Sequence, residues 1–123
     1  MAISPAAPIF ADTLDPHEEL DFKVEFGDML EAGEAIDDAD WILEVLPEAA
    51  ALGLTVMSGN GRDAALSNGD TAVIFWLSID PAYRGNAAFD GAGIELPLRI
   101  TTQTSSSPSR KRQRTFQVRV AQR

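Results

Sequence analysis

The single histidine, His17, is the first residue to consider for catalysis, and it lies in the segment Asp15-Pro16-His17-Glu18-Glu19. A hydrolase of the serine type needs such an imidazole beside a carboxylate and an activated serine. Serines are present at positions 58, 67 and 78, but none lies in a Gly-x-Ser-x-Gly turn. We therefore interpret His17 as a solvated turn residue and predict that the protein is not an enzyme and has no catalytic residues.

Asp37, Asp38 and Asp40 form an acidic cluster whose carboxylate oxygens suit Ca²⁺. The spacing lacks the glycine and the distal glutamate of an EF-hand loop. The chain has no cysteine, which excludes disulfides, thiolate catalysis and cysteine-based zinc sites. We interpret the cluster as an acidic turn, with a calcium site as the alternative, and predict no metal and no cofactor.

Charge is divided unevenly along the chain, whose net charge is -9. Residues 1–61 contain 14 Asp and Glu against one Lys, whereas residues 62–123 contain five acidic and nine basic residues. Pairing of acidic and basic strands across a sheet is the first interpretation. The alternative is contact between an acidic face of one copy and a basic edge of the next copy or of another partner. The residues that would form such a contact are Asp37, Asp38, Asp40, Arg110, Lys111, Arg112 and Arg114.

The basic run from Arg110 to Arg114 also raises nucleic-acid binding as a possibility. A body this acidic would repel phosphate elsewhere, and no aromatic residue is interleaved with the run. We predict no nucleic-acid partner.

Apolar residues recur at every second position in several segments, which is typical of β-strands. Leu20–Phe26, Ile94–Ile100 and Phe116–Val120 each present one apolar and one polar face, as half-buried antiparallel strands do. Residues 71–79 are apolar on both faces and predict a central strand. Pro97 removes a backbone donor, which predicts an edge position or a bulge in its strand.

Shorter segments complete the predicted fold. Residues 41–46, 52–57 and 9–14 are further strand candidates, Pro47–Gly53 predicts a helical turn, and residues 80–93 and 103–110 predict loops. About seven short strands separated by turn residues favour an all-β, immunoglobulin-like β-sandwich. We expect an extended N-terminal arm over residues 1–11 and the sandwich over residues 12–123. The predicted core includes Phe22, Val24, Trp41, Phe75, Trp76, Phe116 and Val118.

The N-terminal residues lack both a basic segment and a long apolar run, so they do not predict a secretion signal. No apolar stretch approaches the ~20 residues that a membrane-spanning helix needs. We expect the protein to be made and kept in a cytoplasm, without a membrane partner.

Several blocks in order resemble the phage fibre–tail adaptor family. They are Leu14-Asp15-Pro16, residues 20–26, Gly33-Glu34-Ala35-Ile36, residues 39–43, Gly53-Leu54-Thr55-Val56, residues 73–78, Ile100-Thr101-Thr102 and residues 114–120. Together they cover most of residues 12–120. The chain departs from the family pattern at Gly27, where a tryptophan is expected, and in longer loops at residues 80–93 and 103–110.

The resemblance implies a small Ig-like structural protein of a tailed-phage virion that joins tail and fibre elements. It implies no catalytic residues. Its partners would be other virion proteins of the tail, fibre or capsid, together with copies of itself, assembled in the cytoplasm of the host bacterium. One alternative is a decoration or cement protein of the phage capsid. A less favoured alternative is a carbohydrate-binding attachment module that uses Trp41 or Trp76.

Overall fold

The computed structural model describes residues 9–26, 35–36, 41–67, 71–104 and 111–122. This part of the chain is mostly β-strand with little helix, so the predicted all-β class is confirmed. In chain order its elements are β1 Leu20–Glu25, β2 Ile42–Val45, α1 Pro47–Ala50, β3 Leu54–Val56, β4 Ala65–Ser67, β5 Ala72–Ile79, β6 Ile94–Gln103 and β7 Lys111–Val120.

The strands form two antiparallel sheets that pack as a sandwich. In the first sheet β5 is central, as predicted, with β1 on one side. Both β3 and β4 pair with β5 on its other side, at opposite ends of the strand, so they form one interrupted edge. The second sheet has the order β2-β6-β7. The sequence pattern did not predict β4, which has three residues and too few positions for a clear alternation.

Residues 9–14 lie parallel to β7, with bridges from Ile9 to Gln117 and from Leu14 to Val120. The amide N–H groups of Phe10 and Leu14 donate to carbonyls of β7, both at 2.9 Å. Ile9 and Phe10, which the sequence assigned to the arm, are thus bonded to the second sheet. Residues 1–8 of that predicted arm lie outside the described residues.

The core fills the space between the two sheets and follows from the every-second-residue pattern. Of its predicted members, those confirmed as buried are Phe22, Val24, Phe75, Phe116 and Val118. Phe10 closes one side of the core, with its ring centroid 4.9 Å from that of Phe22 and 5.7 Å from that of Phe116. Such aromatic contacts stabilise a core beyond the area that they bury.

Both tryptophans were predicted in the core, but neither is fully buried. Trp41 is half-buried and packs against the edge of the core. Trp76 is half-buried on the outer face of β5, so its assignment to the core is wrong. Its neighbours Phe75 and Leu77 are the residues that point inward. Alternation along β5 directs Trp76 to the face that Phe75 does not occupy. In the described part of the chain no element forms a layer over that outer face.

Pro97 lies in β6, the central strand of its sheet, so the predicted edge position is wrong. Its carbonyl accepts a hydrogen bond from Leu46 at 3.2 Å, just after β2 ends. A strand residue directs its N–H and C=O to the same side, so the missing donor faces the place where β2 gives way to α1. The proline therefore removes no ladder hydrogen bond from a continuous pair.

The connections also have defined structure. The helical turn predicted at residues 47–53 is present as α1. Between β5 and β6, two 3-10 helices, Pro81–Tyr83 and Ala87–Phe89, shape the loop, and the fully buried Phe89 anchors it. Among the helices of the described residues, none has the length and apolar character to cross a membrane.

Candidate interaction surfaces

The basic end of β7 holds the three described members of the predicted basic cluster. Thr102 lies opposite Arg112, and Ile100 lies opposite Arg114, so both arginines share the inward-facing row of β7 with Phe116. Lys111 is exposed at the start of the strand. The remaining predicted contact residues lie outside the described residues: Arg110, Asp37, Asp38 and Asp40.

Arg112 has a buried side-chain donor. Its Nε is buried without a hydrogen-bond partner, while its backbone carbonyl accepts from the hydroxyl of Thr102 at 3.4 Å. A buried donor without an acceptor costs stability, roughly 1–3 kcal/mol, because its hydration is lost and nothing replaces it. This cost is internal to the domain, because a partner cannot reach a buried atom. The positive charge that a partner could contact at this end belongs to the exposed Lys111 and to the exposed parts of Arg112 and Arg114.

Replacement of Arg112 by methionine tests this interpretation. Methionine keeps the apolar stem and removes the unpaired donor, so we expect the free energy of unfolding to stay the same or to rise by about 1 kcal/mol. Urea denaturation of the purified variant gives the value, and Arg99→Met, which breaks an ion pair, is the matched control. A loss of more than about 1 kcal/mol in the Arg112 variant would contradict the interpretation.

Other basic residues are paired within the chain. Arg99 bonds Glu44 across β2 and β6 at 2.8 Å, and Arg119 bonds Glu95 across β6 and β7 at 2.6 Å. Arg62 pairs with Glu19. Of these three, the Arg99–Glu44 pair joins a strand of the acidic first half to a strand of the basic second half, as the cross-strand interpretation predicts. Arg62 and Glu19 also come from the two halves but lie outside the strands. In the described part of the chain, by contrast, Lys111, Arg112 and Arg114 have no such pair.

Trp76 and Arg62 form a cation–π pair on the outer face of the first sheet. The guanidinium carbon of Arg62 lies 5.0 Å from the ring centroid of Trp76, within cation–π range. Arg62 lies in the loop that connects β3 and β4, where Asn60 has a positive φ of 54°. The positive φ values of Asn60 and Gly61 are typical of an Asn-Gly turn, but the strands on either side, β3 and β4, pair with β5 and not with each other.

A cleft of about 310 Å³ lies beside the free edge of β1. Residues 10–12 line one wall, and Asp21, Phe22 and Lys23 of β1 line the other, together with Ile74. Phe10 is bonded to β7 in the second sheet, and within the described residues no strand pairs with this edge of β1.

The residues considered for catalysis or metal binding are His17 and the acidic cluster at residues 37–40. The imidazole of His17 is 67% exposed, and its backbone N–H donates to Asp15 in the turn. Within the described residues, no group of three or more His, Asp or Glu side chains is placed to hold a metal ion. The acidic cluster at residues 37–40 lies outside that part of the chain.

No protein-family model matches the chain. A comparison with curated proteins also finds no match.

Proposed function

We propose that this chain is a non-catalytic structural component of a tailed-phage virion that joins tail and fibre elements as a multimer. The ordered blocks that resemble the fibre–tail adaptor family support the location. The strand order supports a role in assembly, and so does the basic end of β7, which has no carboxylate partner among the described residues.

The strand order suits an immunoglobulin-like domain. Such domains place strands B, E and D in one sheet and C, F and G in the other. Lettered in chain order, with residues 9–14 as strand A and the three-residue β4 given no letter, β1, β5 and β3 take the places of B, E and D. The strands β2, β6 and β7 take those of C, F and G. This correspondence favours the Ig-like subclass that the family resemblance implies.

The observation that carries an assembly role is the contrast among the basic residues. Arg62, Arg99 and Arg119 have carboxylate partners within the chain. In the described part, Lys111, Arg112 and Arg114 have no carboxylate partner, and Lys111 is exposed at the start of β7. Complementary charge between partners directs association and fixes register. We assign this end of the sandwich to contact with an acidic surface of a neighbouring virion protein.

Location in the particle is the direct test. In a phage that encodes this chain, antibody labelling of intact virions and a whole-particle reconstruction should place it at the tail, near the fibre attachment. Labelling spread in hundreds of copies over the shell would instead support the capsid decoration protein. Absence from purified virions that still infect would contradict both.

A carbohydrate-binding module has one observation in its favour, the half-buried Trp76 on an outer sheet face. Sugars stack on open aromatic faces, but Arg62 lies over this ring. We therefore expect no binding on a glycan array. A signal that Trp76→Ala abolishes, in a variant that stays folded, would favour the attachment module over the adaptor.

A further inference from the structure

The free edge of β1 exposes backbone groups of known direction. Phe26 donates its N–H to Thr71 of the neighbouring chain segment at 2.8 Å, in register with the ladder between β1 and β5. Hydrogen-bonded and non-hydrogen-bonded pairs alternate in an antiparallel ladder, so Phe22 and Val24 direct their N–H and C=O towards β5. Asp21 and Lys23 direct theirs away from β5, to the free edge.

A second hydrogen bond gives the same assignment independently. Trp76, the partner of Asp21 in the register, accepts from the N–H of Met57 at 2.9 Å on the β3 side. The pair formed by Asp21 and Trp76 is thus non-hydrogen-bonded. Within the described residues, no group bonds the edge-facing N–H and C=O of Asp21 and Lys23, and the 310 Å³ cleft lies beside them. Such an edge is a template for another strand.

We infer that the edge of β1 pairs with β1 of a second copy of this chain, antiparallel about a two-fold axis at Phe22. This register places Asp21 of each copy opposite Lys23 of the other. The two positions exchange four backbone hydrogen bonds between the copies, because both direct their groups to the edge. Both side chains lie on the solvent face, where opposite charges across a strand pair are favourable.

Charge distinguishes this register from its neighbours. It sets Glu25 opposite Glu19, but Arg62 already pairs with Glu19 within the chain, so Asp21 and Lys23 carry the unbalanced charges at its centre. Only odd-numbered positions face the edge, so the partner strand can shift only by two residues at a time. Each such shift moves the two-fold axis by one residue. A two-fold axis at Lys23 would set Lys23 against Lys23 and Asp21 against Glu25, all like charges. An axis at Val24 would set Lys23 against Glu25, and in the single chain Lys23 already bonds Glu25 at 2.9 Å. The pairing about Phe22 exchanges that local contact for two contacts between copies.

The contact is small, because Phe22 and Val24 are only 5% and 3% exposed and little further apolar area can be buried. Backbone hydrogen bonds would supply most of its affinity, as in other strand additions. The inference deepens the proposed multimer by naming one contact between copies. It concerns the purified protein, so its failure would leave the location in the virion untouched, and the labelling test would fail independently of it.

Charge reversal in the full chain tests the pairing. Sedimentation equilibrium at fixed ionic strength should show reversible dimers of the unmodified protein at high concentration. Asp21→Lys and Lys23→Asp should each weaken the dimer about tenfold, since each sets two like-charge pairs opposite one another. An equimolar mixture of the two variants should regain the original affinity. Glu48→Gln, at an exposed position of α1 away from this edge, is the control, expected to change the affinity less than twofold.

A strictly monomeric unmodified protein would overturn the inference, as would an Asp21→Lys variant that dimerises normally while thermal unfolding shows it to be folded. Register is tested separately by disulfide trapping, which is clean because the chain has no cysteine. A hydrogen-bonded pair has a Cα separation near 5.5 Å, which a disulfide spans. Mixed Asp21→Cys and Lys23→Cys proteins should therefore form a crosslinked heterodimer. Lys23→Cys crosslinking with itself instead would refute the axis at Phe22.

Discussion

Replacing Gly93 by alanine is expected to destabilise the protein by more than about 3 kcal/mol. Gly93 has a φ of 75°, and a Cβ there would lie 2.1 Å from the carbonyl oxygen of Val120. Left-handed backbone costs a non-glycine residue roughly 1–3 kcal/mol. The clash adds to this cost, because the blocking atom belongs to the backbone of β7 and cannot move without disturbing the sheet.

Gly91 provides the matched control two residues away. Its φ is 62°, but a Cβ there would have no neighbour within 4 Å. Gly91→Ala should therefore show the conformational cost alone, about 1 kcal/mol. Urea denaturation of both variants separates the two causes. Similar losses at the two positions would show that the packing of the loop against β7 is looser than described.

Replacing Phe75 by alanine should cost about 3–5 kcal/mol, because Phe75 is fully buried between the sheets and its loss leaves a cavity. Trp76→Ala should cost about 1–2 kcal/mol although it removes a larger side chain. Trp76 is half-buried on the outer face, and its loss removes the contact with Arg62 and part of an apolar surface.

The difference between these two neighbours is the informative quantity, measured as free energies of unfolding in urea. Since a domain of this size has marginal stability, Phe75→Ala could fail to accumulate as folded protein. Phe75→Leu, with an expected cost of about 1–2 kcal/mol, then keeps the comparison measurable. A Trp76→Ala loss as large as that of Phe75→Ala would mean that the outer face of β5 is covered by another part of the chain or by a second copy.

The edge of β1 and the basic end of β7 serve different contacts in the proposed assembly. The edge is self-complementary, because Asp21 and Lys23 alternate on one face, and it suits an identical strand. The basic end has no carboxylate partner in the described part of the chain and suits an acidic neighbour. Two distinct contacts allow one small domain to join copies of itself to a different protein.

Local alternation in the sequence was sufficient to identify β1, β5, β6 and β7, because side chains in a strand point to opposite faces in turn. It also identified most of the inward-facing residues, such as Phe22 and Val118. A proline start and a glycine stop identified the helical turn at α1. These features depend on neighbours within a few residues, and the sequence contains that information directly.

Tertiary structure decided what depends on residues far apart in the chain. Alternation showed that Phe75 and Trp76 face opposite ways, but whether a layer covers each face depends on how the two sheets pack. Likewise, Pro97 is tolerated in a central strand because β2 ends beside it. The edge of β1 also depends on pairing, since residues 9–14 bond to β7 and, in the described part of the chain, no strand pairs with that edge. Which strands are neighbours is set by the packing of the whole chain, and a local pattern does not contain it.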